Sequence, residues 1–349
     1  MTRLTRWLLA FALLLSIAPP THAADAHYRL TQIVPGVTVD GTPVAPDPTD
    51  LNDRDEITLV AFTDAVHSYV WRRGELIEVT HVIDPNTSYV EVRSLNRHGD
   101  WAGNHTIGPD LRGFLFTHDR LIAVIGDPAE LGVQVQKVND RRQVLAGSID
   151  AQSERPFLWE RGHAEFLLPA PGDDGAFAFA LNNRGVATGI SGNRPAIWDH
   201  GTVMPLPLPS NSTSAVGNAI SDRDVVTVSA LFDNHRRAFL WRDGAYQELP
   251  LLSPEQTGSG AGKMNRAGDV AGSTSSQDPN TGLFNSIATL WRDGLAIDVN
   301  TLVATADPLR THVRLTACAI MNDRGHIVAL GTDDRSPATT FYYLLTPVR

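Results

Sequence analysis

The stretch RAFLWRDGAYQEL, residues 237–249, returns in altered form as RPFLWERGHAEFL at 155–167 and HSYVWRRGELIEV at 67–79. Each version alternates large apolar residues up to a Trp, passes a Gly, and ends in a second short run. That pattern reads as two antiparallel strands, with the Gly supplying the positive φ that closes a three- to four-residue loop. A second landmark keeps step with the first: an apolar residue, Asn, two polar residues and often Gly. It stands at LNDRD (51), LNRHG (95), VNDRR (138), LNNRG (181), ISDRD (220), MNRAG (264) and MNDRG (321). The Trp series Trp71, Phe116, Trp159, Trp198, Trp241, Trp291 and Leu345 follows sixteen to twenty-six residues behind, and successive Asn positions lie 44, 43, 43, 39, 44 and 57 residues apart.

Asn at the first position and Gly at the fourth are the preferences of a type I turn. This turn would join a strand such as AFAFALN to one such as EITLVAF, and a variable polar loop would lead on to the Trp strand and its hairpin partner. Each copy is therefore four short antiparallel strands. Both faces of the Trp strand are apolar, as in a sheet packed between two others. Four-stranded sheets repeated every forty-odd residues match the blades of a β-propeller. The expectation is an all-β, seven-bladed propeller forming one domain over residues 24–349, with repeats of about 43 residues. The seventh copy ends without a fourth strand, and HYRLTQIV near the start precedes any Asn turn, so residues 27–34 are expected to complete the last blade and remove its open edge. A helical turn is expected near 298–304.

Residues 1–23 read differently. A basic MTRLTR, an apolar run of twelve and Thr21-His22-Ala23 form a signal peptide cut after Ala23, the apolar run being shorter than the roughly 20 residues of a membrane span. The mature chain is then expected to be exported, periplasmic or extracellular, with no membrane span and as a monomer. Cys318, the single cysteine, rules out an intrachain disulfide and lies in an apolar run as a buried small hydrophobe. A net charge of −10, spread evenly, argues against nucleic acid and anionic membrane surfaces as partners.

The repeats resemble the HAF repeat family of probable extracellular proteins, named for a His-Ala-Phe tripeptide before Leu-Trp. RAFLW (237–241) and RPFLW (155–159) match best, HSYVW (67–71) keeps the His, and 298–331 is similar to that family's last repeat. No copy has the intact tripeptide, and copies two and seven lack the Trp. The resemblance implies an exported repeat protein and supplies no catalytic residues.

Chemistry-bearing motifs are sparse. There is no G-x-S-x-G, no H-E-x-x-H, no cysteine pair, and no calcium loop with a distal acid, so no catalytic residue, metal site or cofactor is expected. His105 and His118 stand near polar groups, as solvated loop histidines usually do. His67, Arg112, Arg155, Arg194 and Arg237 recur four residues before the Trp position. They would either form an anion-binding circlet or pair with acidic turn residues such as Asp222.

Strand order puts the Asn turns and the Trp hairpins at one end of the ring. The segments that differ between copies lie at the other end, including 104–112, 148–155, 232–237, 273–286 and 332–338. Function tends to sit on variable loops held by a rigid scaffold, which makes His105, His235, Arg236, Asp278 and Asp333 the candidate binding residues. The leading expectation is a non-catalytic protein that binds a partner, glycan or envelope component through this loop face. A propeller lyase or hydrolase working at the channel mouth and a structural scaffold are the alternatives.

Overall fold

The computed structural model describes residues 27–33, 37–39, 42–117, 120–126, 132–149, 154–233, 235–337 and 339–348. The expected signal peptide with its cleavage site, and His118, lie outside these residues. The protein is an all-β propeller of small antiparallel four-stranded blades.

Copy one contributes Asp47–Leu51, Ile57–Phe62, Val66–Arg72 and Glu75–Glu78, paired in that order. Copies four, five and six repeat the arrangement from Ala176–Leu181 to Thr202–Pro205, from Ser214–Ile220 to Ala245–Glu248, and from Gly258–Met264 to Leu295–Asp298. Copy seven supplies Val313–Met321, Ile327–Asp333 and Thr340–Val348, and His27–Gln32 lies antiparallel on the last of these.

Copies two and three correct the expectation of seven separate sheets. Among the described residues five sheets of four strands stand alone, while the strands from Val90–Leu95 to His163–Phe166 form a single sheet of eight. The join is local. Leu111 meets Gly132 in one parallel bridge, and the carboxamide of Asn104 acts as a piece of backbone, accepting from Val135 N–H and donating to Val133 C=O. A two-stranded hairpin, Val37–Val39 with Thr42–Val44, was not legible in the repeats. A 3-10 turn at Val299–Leu302, with Asp298 accepting from Asn300 N–H, stands where a helical turn was expected.

The two sequence landmarks keep step because the sheets place them in register. In every copy the residue five beyond the Asn position stands opposite the Trp position: Ile57 and Trp71, Trp101 and Phe116, Val144 and Trp159, Ala187 and Trp198, Val226 and Trp241, Val270 and Trp291, Ile327 and Leu345. The Asn side chain fixes this phase. Asn139 Oδ1, for example, accepts from the N–H groups of Arg141 and Gln143 at 3.0 and 2.9 Å, and Asn139 N–H donates to Gln143 C=O. The fourth turn residue has positive φ throughout, at Asp55, Gly99, Arg142, Gly185, Asp224, Gly268 and Gly325, which explains the frequent Gly. After the Trp the hairpin loop is two residues, shorter than expected, because both residues take positive φ as in Asp243 and Gly244, a type I′ turn that matches strand twist.

The core lies between facing sheets. Leu145 of copy three packs with Ala178 and Trp198 of copy four, and Ile320, Val328 and Leu344 of copy seven pack with Leu51, Ile57 and Trp71 of copy one. Cys318 is buried among these layers, which pushes its thiol up to about 12, as a packing residue's would be.

Candidate functional site

The innermost strand of each copy bulges just before its Asn turn, and the turns are tied to one another around the axis. Asn52 Nδ2 donates to Asn96 C=O, Asn96 to Asn139, Asn139 to Asn182, Asn182 to Ser221, and Asn322 back to Asn52, at 2.9–3.3 Å. Residues one further on form two more runs of bonds, one from copy two to copy five and one from copy six through copy seven to copy one. Arg97 N–H donates to Asp140, Asp140 N–H to Asn183, Asn183 N–H to Asp222, Arg266 N–H to Asp323, and Asp323 N–H to Asp53. The agreement between copies at the turn end thus holds sheet to sheet.

The recurrent basic position has a partner in each copy. His67 pairs with Glu78 at 2.9 Å, Arg112 with Asp110 at 2.8 Å and Arg194 with Asp173 at 3.3 Å. Arg237 meets Glu248, and Arg155 lies over the Phe166 ring at 4.8 Å. These groups belong to their own blades or the preceding connection, so they pair off instead of forming an anion circlet. Asp222, named from sequence as such a partner, bonds Asn183 instead.

At the loop end the five candidate residues separate. His105 is not in a loop: strands Trp101–Ile107 and Asp110–Thr117 run almost to each other, and the imidazole is buried with Nδ1 3.0 Å from Asp84 Oδ2 and its edge against Phe114. Its neighbour Asn104, buried where it joins the next copy, is what converts this predicted loop into a strand. Asp333 is likewise structural, being buried at the end of its strand and gripped by Arg335, whose guanidinium and N–H hold the carboxyl at about 2.

His235, Arg236 and the Asp278 loop come together. Copies five and six leave a cleft of about 710 Å³, lined by Leu231, His235, Arg236, Arg237, Gln256, Gly258, Gly260, Gln277, Pro279 and Phe284 among others. His235 stacks on Phe232 with ring centroids 5.6 Å apart, Arg236 is exposed, and Phe284 shows 65% of its surface. Asp278 builds the wall without lining it: its Oδ1 accepts from Asn280 and Thr281 N–H at 2.8 and 3.1 Å, bonds that lower its pKa, and Gln277 Nε2 donates to Gly282 C=O. The floor is glycine. A Cβ on Gly260 would meet nothing within 4 Å, so a ligand can approach the backbone there.

Among the described residues the lining includes no Asp or Glu, and the cleft offers cations, carboxamides, hydroxyls and an aromatic face. Such a surface suits recognition of an anionic group beside an apolar ring. Among the described residues no group of three His, Cys, Asp or Glu side chains could hold a metal, and no helix is long and apolar enough to cross a membrane.

Sequence reasoning missed a second hollow, on the axis at the turn end. It is a cavity of about 380 Å³ that receives residues from all seven copies. Aligning the copies on Asn exposes the signal: the residue two before it is Asp50, Ser94, Lys137, Ala180, Ala219, Lys263 and Ile320.

Small antiparallel four-stranded sheets arranged around a cavity, with a separate cleft at the loop end, define a β-propeller as a class. Solved structures agree on the fold. The chain is similar to YCF48 bound to D1 peptide (12% identity, TM-score 0.52, covering 92% of this chain and 97% of that one). It is also similar to the β-propeller domain of the Trilobed protease from Pyrococcus furiosus, at 12% identity and TM-score 0.50 over 75% and 83% of the two chains. A chain of the Mitotic Checkpoint Complex matches at 13% identity and TM-score 0.51 over 99% of both. At such identities the likeness concerns the fold alone. No family model matches the sequence, and none of the curated proteins does.

Proposed function

We propose that the protein is an exported, non-catalytic binding propeller whose seven repeats form one ring closed by the N-terminal strand. In this reading it grips an anionic envelope glycan in the loop-face cleft between copies five and six. The observation that carries the reading is the cleft's composition: Arg236, His235 and two carboxamides beside an exposed Phe284. A guanidinium pairs with a carboxylate or phosphate on a sugar, and an exposed ring packs against the sugar's apolar face. The histidines in ion pairs, His67, His105, His200, His312 and His326, each face a different carboxylate, so they support structure at separate places and not one reaction centre.

Ring closure is supported by the antiparallel pairing of His27–Gln32 with the last strand and by the bond from Asn322 to Asn52. The resemblance to HAF repeat proteins adds export to the reading. Protein recovered from the periplasm or medium is expected to begin at Ala24, as read by N-terminal sequencing, and a first residue of Met1 there would contradict cleavage.

Binding is tested on arrays of acidic and neutral polysaccharides with the mature protein. An acidic glycan is expected to bind, and Arg236→Ala or Phe284→Ala to weaken it about tenfold or more, the scale of one lost charged hydrogen bond. Binding to neutral glycans alone, or variants equal to the parent, would contradict the proposal.

A further inference from the structure

The axial cavity at the turn end lies opposite the loop-face cleft and is built from different residues. Five of the seven residues two before the Asn positions line it: Asp50, Lys137, Ala180, Ala219 and Lys263. On one arc Asp50 is buried, accepts from Ser94 Oγ at 2.8 Å and from Leu95 N–H at 3.1 Å, and pairs with Lys137. On the other, Ala180 and Ala219 stand in the two copies between Lys137 and Lys263, leaving room where longer side chains would fill the axis. Among the described residues the Lys263 ammonium makes no hydrogen bond or ion pair, although it lines the same cavity. These five residues therefore carry two cations against one anion.

Of the carboxylates nearer the mouth, Asp140 pairs with Arg97 and Asp323 with Arg266, while Asp222 and Asp53 accept from the neutral N–H groups of Asn183 and Asp323. Lys137 and burial act against the charge on Lys263 and outweigh the attraction of Asp50, bringing its pKa down to about 8, so the one carboxylate is shared between two ammonium groups.

We propose that this cavity binds a small oxyanion, a carboxylate or phosphate, between the ammonium groups of Lys137 and Lys263 above Ala180 and Ala219. The anion supplies the missing counter-charge, and the small residues supply its space. About 380 Å³ accommodates a phosphate or a short dicarboxylate but not a polymer.

The test is calorimetry and thermal unfolding of the mature protein with inorganic phosphate and with succinate, against sodium chloride at equal ionic strength. Saturable binding of either oxyanion and a rise in Tm beyond that in chloride are expected. If only one of them binds, that result identifies which chemistry the site takes. Lys263→Met is expected to raise Kd at least tenfold, while Lys263→Arg retains binding. Ala219→Leu, which keeps both lysines and fills the arc, is expected to abolish binding as well. Equal responses to chloride and the oxyanions, or binding undiminished in both Lys263→Met and Ala219→Leu, would overturn the proposal.

Discussion

A chain lacking residues 24–36 is expected to unfold about 10 °C or more below the mature protein. The deletion removes His27–Gln32, the strand that covers the edge of Thr340–Val348, along with three buried side chains, Tyr28, Leu30 and Ile33. Each such side chain contributes roughly 1.5–3 kcal/mol by leaving water, so the loss is roughly 5–9 kcal/mol before hydrogen bonds are counted. Several of those bonds tie distant segments: Leu30 N–H donates to Asp307, Ala304 N–H to Tyr28 C=O, and Ile33 N–H to Tyr342 C=O. The uncovered edge should also promote association, visible as concentration-dependent light scattering. A peptide of residues 24–36 added in trans should restore part of the stability by mass action. An unchanged Tm by calorimetry would refute ring closure by this strand.

Trp291→Ala is expected to cost about 3–5 kcal/mol, seen as a fall in Tm of about 5–8 °C. Trp291 is fully buried, packs with Val270, Ala261 and Leu249, and donates its indole N–H to Pro250 C=O at 2.7 Å. The contact spans two copies, so the indole fastens the sixth sheet to the end of the fifth. Trp291→Phe should cost less, because Phe116 fills the same register position in copy two, and the difference measures the indole bond at about 1 kcal/mol. Trp241 at the corresponding place is only partly buried, so Trp241→Ala should cost clearly less than Trp291→Ala. Equal losses at the two positions would mean that packing depth does not set the contribution of this landmark.

Turn chemistry made much of the fold legible. Asn at the first position of a turn and positive φ at the fourth are local requirements, written into residues such as Asn182 and Gly185, so the repeats announced four-stranded units. The pairing of the Asn and Trp series follows from the same turn, since a fixed turn fixes which residue faces Trp198. The joining of copies two and three was hidden because it depends on one polar side chain, Asn104, reaching the backbone of a strand about thirty residues away. His105 looked like a loop residue for the same reason: its polarity is satisfied by Asp84, which periodicity alone does not place beside it.

The candidate site was legible in part. Variation between copies pointed to His235, Arg236 and the loop of Asp278, and those segments meet because copies five and six are neighbours. The contact of Asp333 with Arg335, two residues on in a turn that folds back on it, is not something that alignment of the copies displays. The axial lysines escaped notice because a charge two residues before an Asn means little until seven such positions are brought to one axis.

The central claim is that the acidic glycan is held in the loop-end cleft, where the copies diverge, and not at the Asn turns. Hydrogen exchange of the mature protein, with and without a bound acidic polysaccharide, tests it most directly. The account predicts slowed exchange at 230–237, 256–260 and 275–284, with the Asn turns unchanged. Protection confined to the Asn turns, or absent from the cleft while the polysaccharide is bound, would contradict it.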